Sequence, residues 1–310
     1  MKKIFEKVII VSSMLGLVFF YGCGEDEVIE EVAASIDVSL SATTSDGTTL
    51  INGGEVTAAD SFSIVISITA EAGFNTLNIS GDVASSTINR NDLDIASGTT
   101  DAEVTLTVST SSSLGEGSID FEAVDEEGNT ATASFSFVVV SPAAKIQTAV
   151  MLYAPNGDLS SETFYSIVNN ETYSRNEVES TSESISASVD FGYYYGSNNN
   201  ASLASPDAYP SAIYDLVTAG WTTRNATLLA TTTITSAQYI EMTTVSDIET
   251  AITGIDVSNT DGTVINLSVG DILMFKTVDD VQGLIHVSTI TGTDGSDGVI
   301  ELEIKLAASE

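Results

Sequence analysis

The sequence predicts a mainly β protein: a β-sandwich over residues 34–141, then a second β-rich domain at 145–310 with two or three short helices. Three observations carry this. Apolar and polar residues alternate with a period of two in one run after another, the pattern of half-buried strands. Thr, Ser, Val and Ile are plentiful, and these side chains suit a pleated surface. Turn residues punctuate the runs: Asp46-Gly47, Gly53-Gly54, Gly81-Asp82 and the Asp125–Asn129 stretch.

In the first domain, Ile36, Val38 and Leu40 point one way, while Asp37 and Ser39 point the other. The same alternation places Phe62, Ile64, Ile66 and Ile68 on one face. It recurs at Val104, Leu106 and Val108, and at Phe135, Phe137 and Val139. Short strands separated by turns predict a sandwich. The last hairpin, G-S-I-D-F-E-A-V-D-E-E-G-N-T-A-T-A-S-F-S-F-V-V-V, resembles the end of a bacterial immunoglobulin-like domain. That resemblance implies an Ig-like β-sandwich. With Arg90 as its one base and neither Tyr nor Trp, this domain reads as a spacer. Asp125, Glu126, Glu127 and Asn129 offer the oxygen ligands that Ca²⁺ prefers. The same residues also read as a tight turn at Gly128-Asn129. No other cofactor is indicated by any motif.

Ser141-Pro142-Ala143-Ala144 breaks the chain, and Pro142 stops the preceding strand. Strand-like runs follow at 146–153, 163–167, 185–195, 264–267, 272–276, 284–290 and 299–306. The last three predict an antiparallel meander. Helices are expected from Pro210 to Gly220, from Ser236 through Met242, and from Ser246 to Gly254, where Ser246 and Glu249 form a capping-box pattern. The segments V-D-F-G-Y-Y-Y-G, A-S-L-A-S-P, V-G-D-I-L-M-F-K-T and G-L-I-H-V resemble a C-terminal domain of Bacteroidota surface lipoproteins whose role is unassigned. The resemblance brings no catalytic residues. Neighbouring families of similar layout hold glycans.

Every tyrosine outside the first 22 residues lies beyond residue 150, as do the single Trp and the single His. Phe191, Tyr193, Tyr194, Tyr195, Tyr209, Tyr214 and Trp221 cluster with Asn198, Asn199 and Asn200. Rings that pair apolar faces with polar tips, next to amides, suit sugars. Tyr193, Tyr194, Tyr195, Asn199 and Trp221 are therefore the candidate ligand-binding residues. The alternative is that the rings pack a core and the Asn run is a plain loop. On strand alternation Phe191, Tyr193 and Tyr195 share one face and Tyr194 takes the other, and one of these faces is expected to be core.

Catalytic patterns are thin. A Ser-His-acid site would have to use His286, which sits mid-strand between Ile285 and Val287. Paired carboxylates are abundant, but nothing singles out two of them. No phosphate loop, dinucleotide fingerprint or His-rich zinc site is present.

The start of the chain indicates where the protein resides. Lys2, Lys3 and Lys7 precede the apolar run Val8–Tyr21, and then come Gly22, Cys23 and the acidic Glu25, Asp26 and Glu27. This resembles a bacterial lipoprotein signal. It implies a signal peptide at 1–22, a lipid-modified Cys23, and an acidic tether at 23–33. Phe20 and Tyr21 are bulkier than the usual pattern, as in Bacteroidota lipoproteins, and the acids after Cys23 resemble that phylum's surface-export signal. The expected location is the outer membrane, lipid-anchored and exposed at the cell surface. The net charge of −35 becomes more negative once the basic leader is removed. A polyanion of this kind excludes nucleic acid as a partner. The expectation is a non-catalytic surface lipoprotein that binds an extracellular polysaccharide through its C-terminal domain. The alternatives are a structural or adhesive accessory of an outer-membrane protein, and a carboxylate-based glycan hydrolase.

Overall fold

The computed structural model describes residues 34–157, 159–180, 183–257, 260–294 and 297–307. The predicted leader, Cys23 and the acidic tether lie outside the described residues. The chain divides into two compact units between Ser141 and Pro142. The fold is mainly β, with several sheets and four short α-helices among the described residues.

The first unit contains β1 (Ile36–Thr44), β2 (Thr49–Leu50), β3 (Gly54–Thr57), β4 (Ser61–Ala70), β5 (Phe74–Gly81), β6 (Ser86–Asn89), β7 (Asp101–Ser109), β8 (Gly115–Asp125) and β9 (Thr130–Val140). They form two sheets, β2-β1-β4-β7 and β3-β9-β8-β5-β6. The two sheets pack face to face as a β-sandwich. The alternation explains it: Phe62, Ile64, Ile66 and Ile68 all turn inward and are fully buried, facing Phe135, Phe137 and Val139 of the other sheet.

The Asp125–Asn129 stretch is built as a turn. One carboxylate oxygen of the buried Asp125 accepts from the backbone N–H of Glu127 (3.0 Å) and Asn129 (2.8 Å), and the other accepts from Asn129 Nδ2 (2.8 Å). Burial alone would raise the Asp125 pKa, but the hydrogen bonds from Asn129, Glu127 and Gly128 outweigh it and the net direction is down. Glu126 is committed to Arg90, Ser97 Oγ and Gly98 N–H. Asp125 and Glu126 thus hold the loop itself. Among the described residues, no group of three His, Cys, Asp or Glu side chains is placed to hold a metal ion.

The second unit contains β10 (Lys145–Tyr153), β11 (Glu162–Ser166), β12 (Glu171–Ser174), α1 (Arg175–Ser180), α2 (Glu183–Ser188), β13 (Phe191–Gly196), β14 (Asn200–Ala204), β15 (Leu228–Thr231), α3 (Ser236–Glu241), α4 (Val245–Ile252), β16 (Thr263–Val264), β17 (Ile272–Lys276), β18 (Gln282–Thr291) and β19 (Val299–Leu306). One sheet runs β10-β19-β18-β17-β15 and the other β12-β11-β13-β14-β16. The predicted meander is the β17-β18-β19 part of the first sheet.

Both sheets are covered on both faces. Between them lies a core that includes Tyr165, Phe191, Tyr193, Phe275, Ile285 and Leu302. On the far side of the first sheet, Tyr239 of α3 and Ile248 and Ile252 of α4 pack on Ile272, Met274 and Leu284. This double burial explains the unbroken apolar run Ile272–Phe275, which alternation alone would not produce. Lys305 fastens α3 to the sheet. Its Nζ donates to the carbonyls of Tyr239 (2.7 Å) and Met242 (2.8 Å) and lies 4.4 Å above the Tyr239 ring.

The helices differ from expectation in position. Residues 210–220 form successive turns, and of Ile213, Leu216 and Val217 only Leu216 is buried. With one apolar anchor, an amphipathic helix gains little there. α3 and α4 are capped one and two residues earlier than predicted, by Thr235 and Thr244. Thr244 pairs with Asp247 in a box that wins over Ser246-Glu249. α1 and α2 were not expected. Their span includes the start of the run read as a strand from Ile185.

Candidate functional site

The aromatic stretch predicted to bind ligand is largely internal. β13 lies between β11 and β14, so its side chains alternate between two covered faces. Phe191 and Tyr193 enter the core between the sheets, where Tyr195 joins them half-buried. Tyr194 points the other way into a second aromatic core with Phe164, Tyr209, Leu216 and Trp221. Phe164 is its hub, with ring centroids 4.7 Å from Trp221 and 5.3 Å from Tyr209. Tyr209 Oη donates to the Tyr193 carbonyl (2.8 Å), tying the roof to the strand.

Tyr193, Tyr194 and Trp221 are therefore packing residues rather than an exposed sugar platform. The face that alternation left for solvent is roofed by α1, α2 and the 205–221 segment. Asn199 lies in the β13–β14 turn, where its carbonyl accepts from Asn266 N–H (2.8 Å) and Ser202 Oγ (3.0 Å). Asn200 adds a side-chain bond to Asn266 (2.7 Å), so this part of the Asn run is structural.

His286 does not complete a catalytic triad. Its Nε2 lies 3.3 Å from Ser236 Oγ, and its ring is 5.2 Å from that of Tyr239. Ser236 Oγ also lies 3.2 Å from the Gly270 carbonyl, which gives its proton an acceptor other than the imidazole. Glu303 faces His286 across β18–β19 and acts on it only through its charge. Burial lowers the His286 pKa, the Glu303 charge opposes this, and the net direction is down. Without an acid bonded to the ring, the pair pins the start of α3 to the sheet.

Two features went unread in the sequence. The first is an open groove of about 510 Å³ between the end of α4 and the rim of the first sheet. Ile252, Val257 and Met274 make an apolar floor, and Glu249, Lys276 and Gln282 stand along its edge. Lys276 is paired with Asp280 at 2.8 Å. No motif marks it, because its residues come from three separate elements.

The second feature is Arg175, the first residue of α1. It is 7% exposed, with its guanidinium carbon 4.6 Å from the centre of the Tyr214 ring. The sequence did carry a signal for it. Ser174 and Glu177 form a reciprocal box, with Ser174 N–H donating to the Glu177 carboxylate at 2.8 Å and Glu177 N–H to Ser174 Oγ at 3.3 Å. S-x-x-E marks a helix start, and it fixes Arg175 just inside.

No family model matches this chain. No curated protein matches it either. Among solved structures, a DUF4466 family protein from Parabacteroides merdae is similar at 10% sequence identity, with a TM-score of 0.40, over 87% of this chain and 98% of that one. Among the described residues, no helix is long and apolar enough to cross a membrane.

Proposed function

We propose that this protein is a non-catalytic, lipid-anchored surface protein that holds an extracellular glycan in its second unit. Anchoring rests on Cys23 and the sequence before it. The observation that carries the recognition reading is the groove beside α4. It is within the size range of small-ligand sites and combines an apolar floor with a few hydrogen-bonding groups, the mixture a sugar face and its hydroxyls require. The buried tyrosines and Trp221 serve this role by stiffening the second unit, not by touching the sugar.

Two measurements test it. Cys23→Ala moves the protein from the membrane fraction to the soluble fraction if the cysteine is the anchor. Binding to a panel of soluble polysaccharides is then compared between the native protein and Gln282→Ala and Lys276→Ala. Loss of binding in both variants, with unchanged thermal unfolding, supports the groove. Binding to no member of the panel, or binding that both variants leave intact, counts against it.

A further inference from the structure

Resting on the reading of the groove beside α4 as a glycan site, we infer that it selects an N-acetylated amino sugar and seats the acetyl methyl on its floor. The case begins from how polarity changes with depth. Ile252, Val257, Met274 and Ala307 line the groove and belong to the core under α4, and none is more than 8% exposed. The little surface they leave uncovered is the bottom of the groove. Glu249, Thr253 and Asp256 also line it and are exposed, so polar groups stand at its mouth.

A plain hexose ring does not match this arrangement. Its hydroxyls radiate from the ring edge and its C–H groups form shallow faces, which flat aromatic side chains cover best. Among the described residues that line the groove, none is aromatic. A recessed aliphatic floor instead takes a compact apolar tip that projects from a polar body. Met274 contributes an unbranched thioether, which adjusts to the shape of such a group.

The rim decides which tip. Lys276 is held by Asp280 at 2.8 Å, so its charge is already countered. Gln282 stands opposite Lys276 in the β17–β18 register and brings an amide, with both donor and acceptor. An acetamido group carries the complementary N–H and C=O with a methyl beyond them. It bonds Gln282 at the rim while its methyl goes down, and the ring hydroxyls are left to donate to Glu249. A methyl without the amide would leave Gln282 unanswered. A free amine would meet the acids and leave the floor empty.

Chitotetraose, its fully deacetylated form and cellotetraose share one backbone and linkage. They differ only at C2, where they carry acetamido, ammonium and hydroxyl groups. Each is titrated calorimetrically into the protein at low and at high salt. The expected result is that chitotetraose binds about tenfold or more tightly than cellotetraose, with little dependence on salt. Met274→Gln puts a polar group in the floor, and Gln282→Glu keeps the side chain's size but removes its donor. Each should cut that preference to about twofold or less. If Met274→Gln does not fold, Gln282→Glu at the rim carries the test alone. Equal binding of chitotetraose and cellotetraose, both lost in Lys276→Ala, overturns this inference and leaves the glycan groove standing. So does binding of another polysaccharide when neither tetrasaccharide binds. Tightest binding by the deacetylated form, fading with salt, overturns it in favour of charge alone. Binding to no saccharide removes both readings.

Discussion

Replacing Asp190 with asparagine should stabilise the second unit at neutral pH and weaken it slightly in acid. Asp190 precedes β13 and is 5% exposed. One of its carboxylate oxygens accepts from Ile167 N–H at 2.7 Å. Burial pushes its pKa up to about 6 from an ordinary 3.8; the Ile167 bond opposes this and the Asp279 charge adds to it. The folded state thus binds this proton more tightly than the unfolded chain does. The favourable contribution is complete below about pH 4 and is lost as pH rises towards 6. At about 1.4 kcal/mol per pH unit, the ionised side chain costs the fold about 3 kcal/mol above pH 6. Asparagine keeps an oxygen for Ile167 N–H and does not ionise. Its added N–H₂ needs a partner, which removes roughly 1 kcal/mol of the gain. Asp190→Asn should therefore be more stable than the native protein by about 1–3 kcal/mol at pH 7.5 and weaker than it by roughly 1 kcal/mol near pH 4. Urea unfolding, followed by Trp221 emission at several pH values, measures the difference, and acid effects common to both proteins cancel. Stability curves that run parallel across this range, or an asparagine variant weaker at pH 7.5, would refute the reasoning.

Three further outcomes follow from packing and capping, each read by the same unfolding assay. Lys305→Met removes the two bonds to the last carbonyls of α3 and should destabilise the second unit by about 1–3 kcal/mol, with α3 the first segment to lose hydrogen-exchange protection. Ser174→Ala breaks the box that starts α1 and should cost about 1 kcal/mol; an unchanged midpoint would mean α1 contributes nothing to stability. Gly192→Ala puts a Cβ 2.6 Å from the Phe164 ring and 2.9 Å from that of Tyr209, and overpacking of that kind should cost about 1–3 kcal/mol.

What the sequence revealed tracks how local the signal is. The alternation in β4 and β9 named the inward residues of the first unit because each strand there has one buried face. β13 broke that logic. A strand covered on both sides gives no hint of which ring faces water, so Tyr194 and Trp221 looked available when they were internal. The helix expected at 210–220 failed for a related reason: a proline start and glycine stop bracketed a segment with one apolar anchor, Leu216. The groove depends on residues far apart in the chain, and no window of sequence brings Glu249 to Gln282, just as none brings Arg175 to Tyr214. Only the S-x-x-E at Ser174 was local enough to have been read.

The position of β19 in its sheet carries a kinetic consequence. The last strand formed from the chain pairs with β10, the first of its unit, on one side and with β18 on the other. Lys305, which closes the end of α3, also belongs to β19. A chain emerging N-terminus first can fold its sandwich while the rest is still arriving. The second unit has to wait, because β19, an interior strand of its main sheet, follows all the sheet's other strands in the chain. Closing so long a loop is slow relative to local pairing. Until β19 arrives, the facing edges of β10 and β18 stay open, so this sheet closes only once that strand is present.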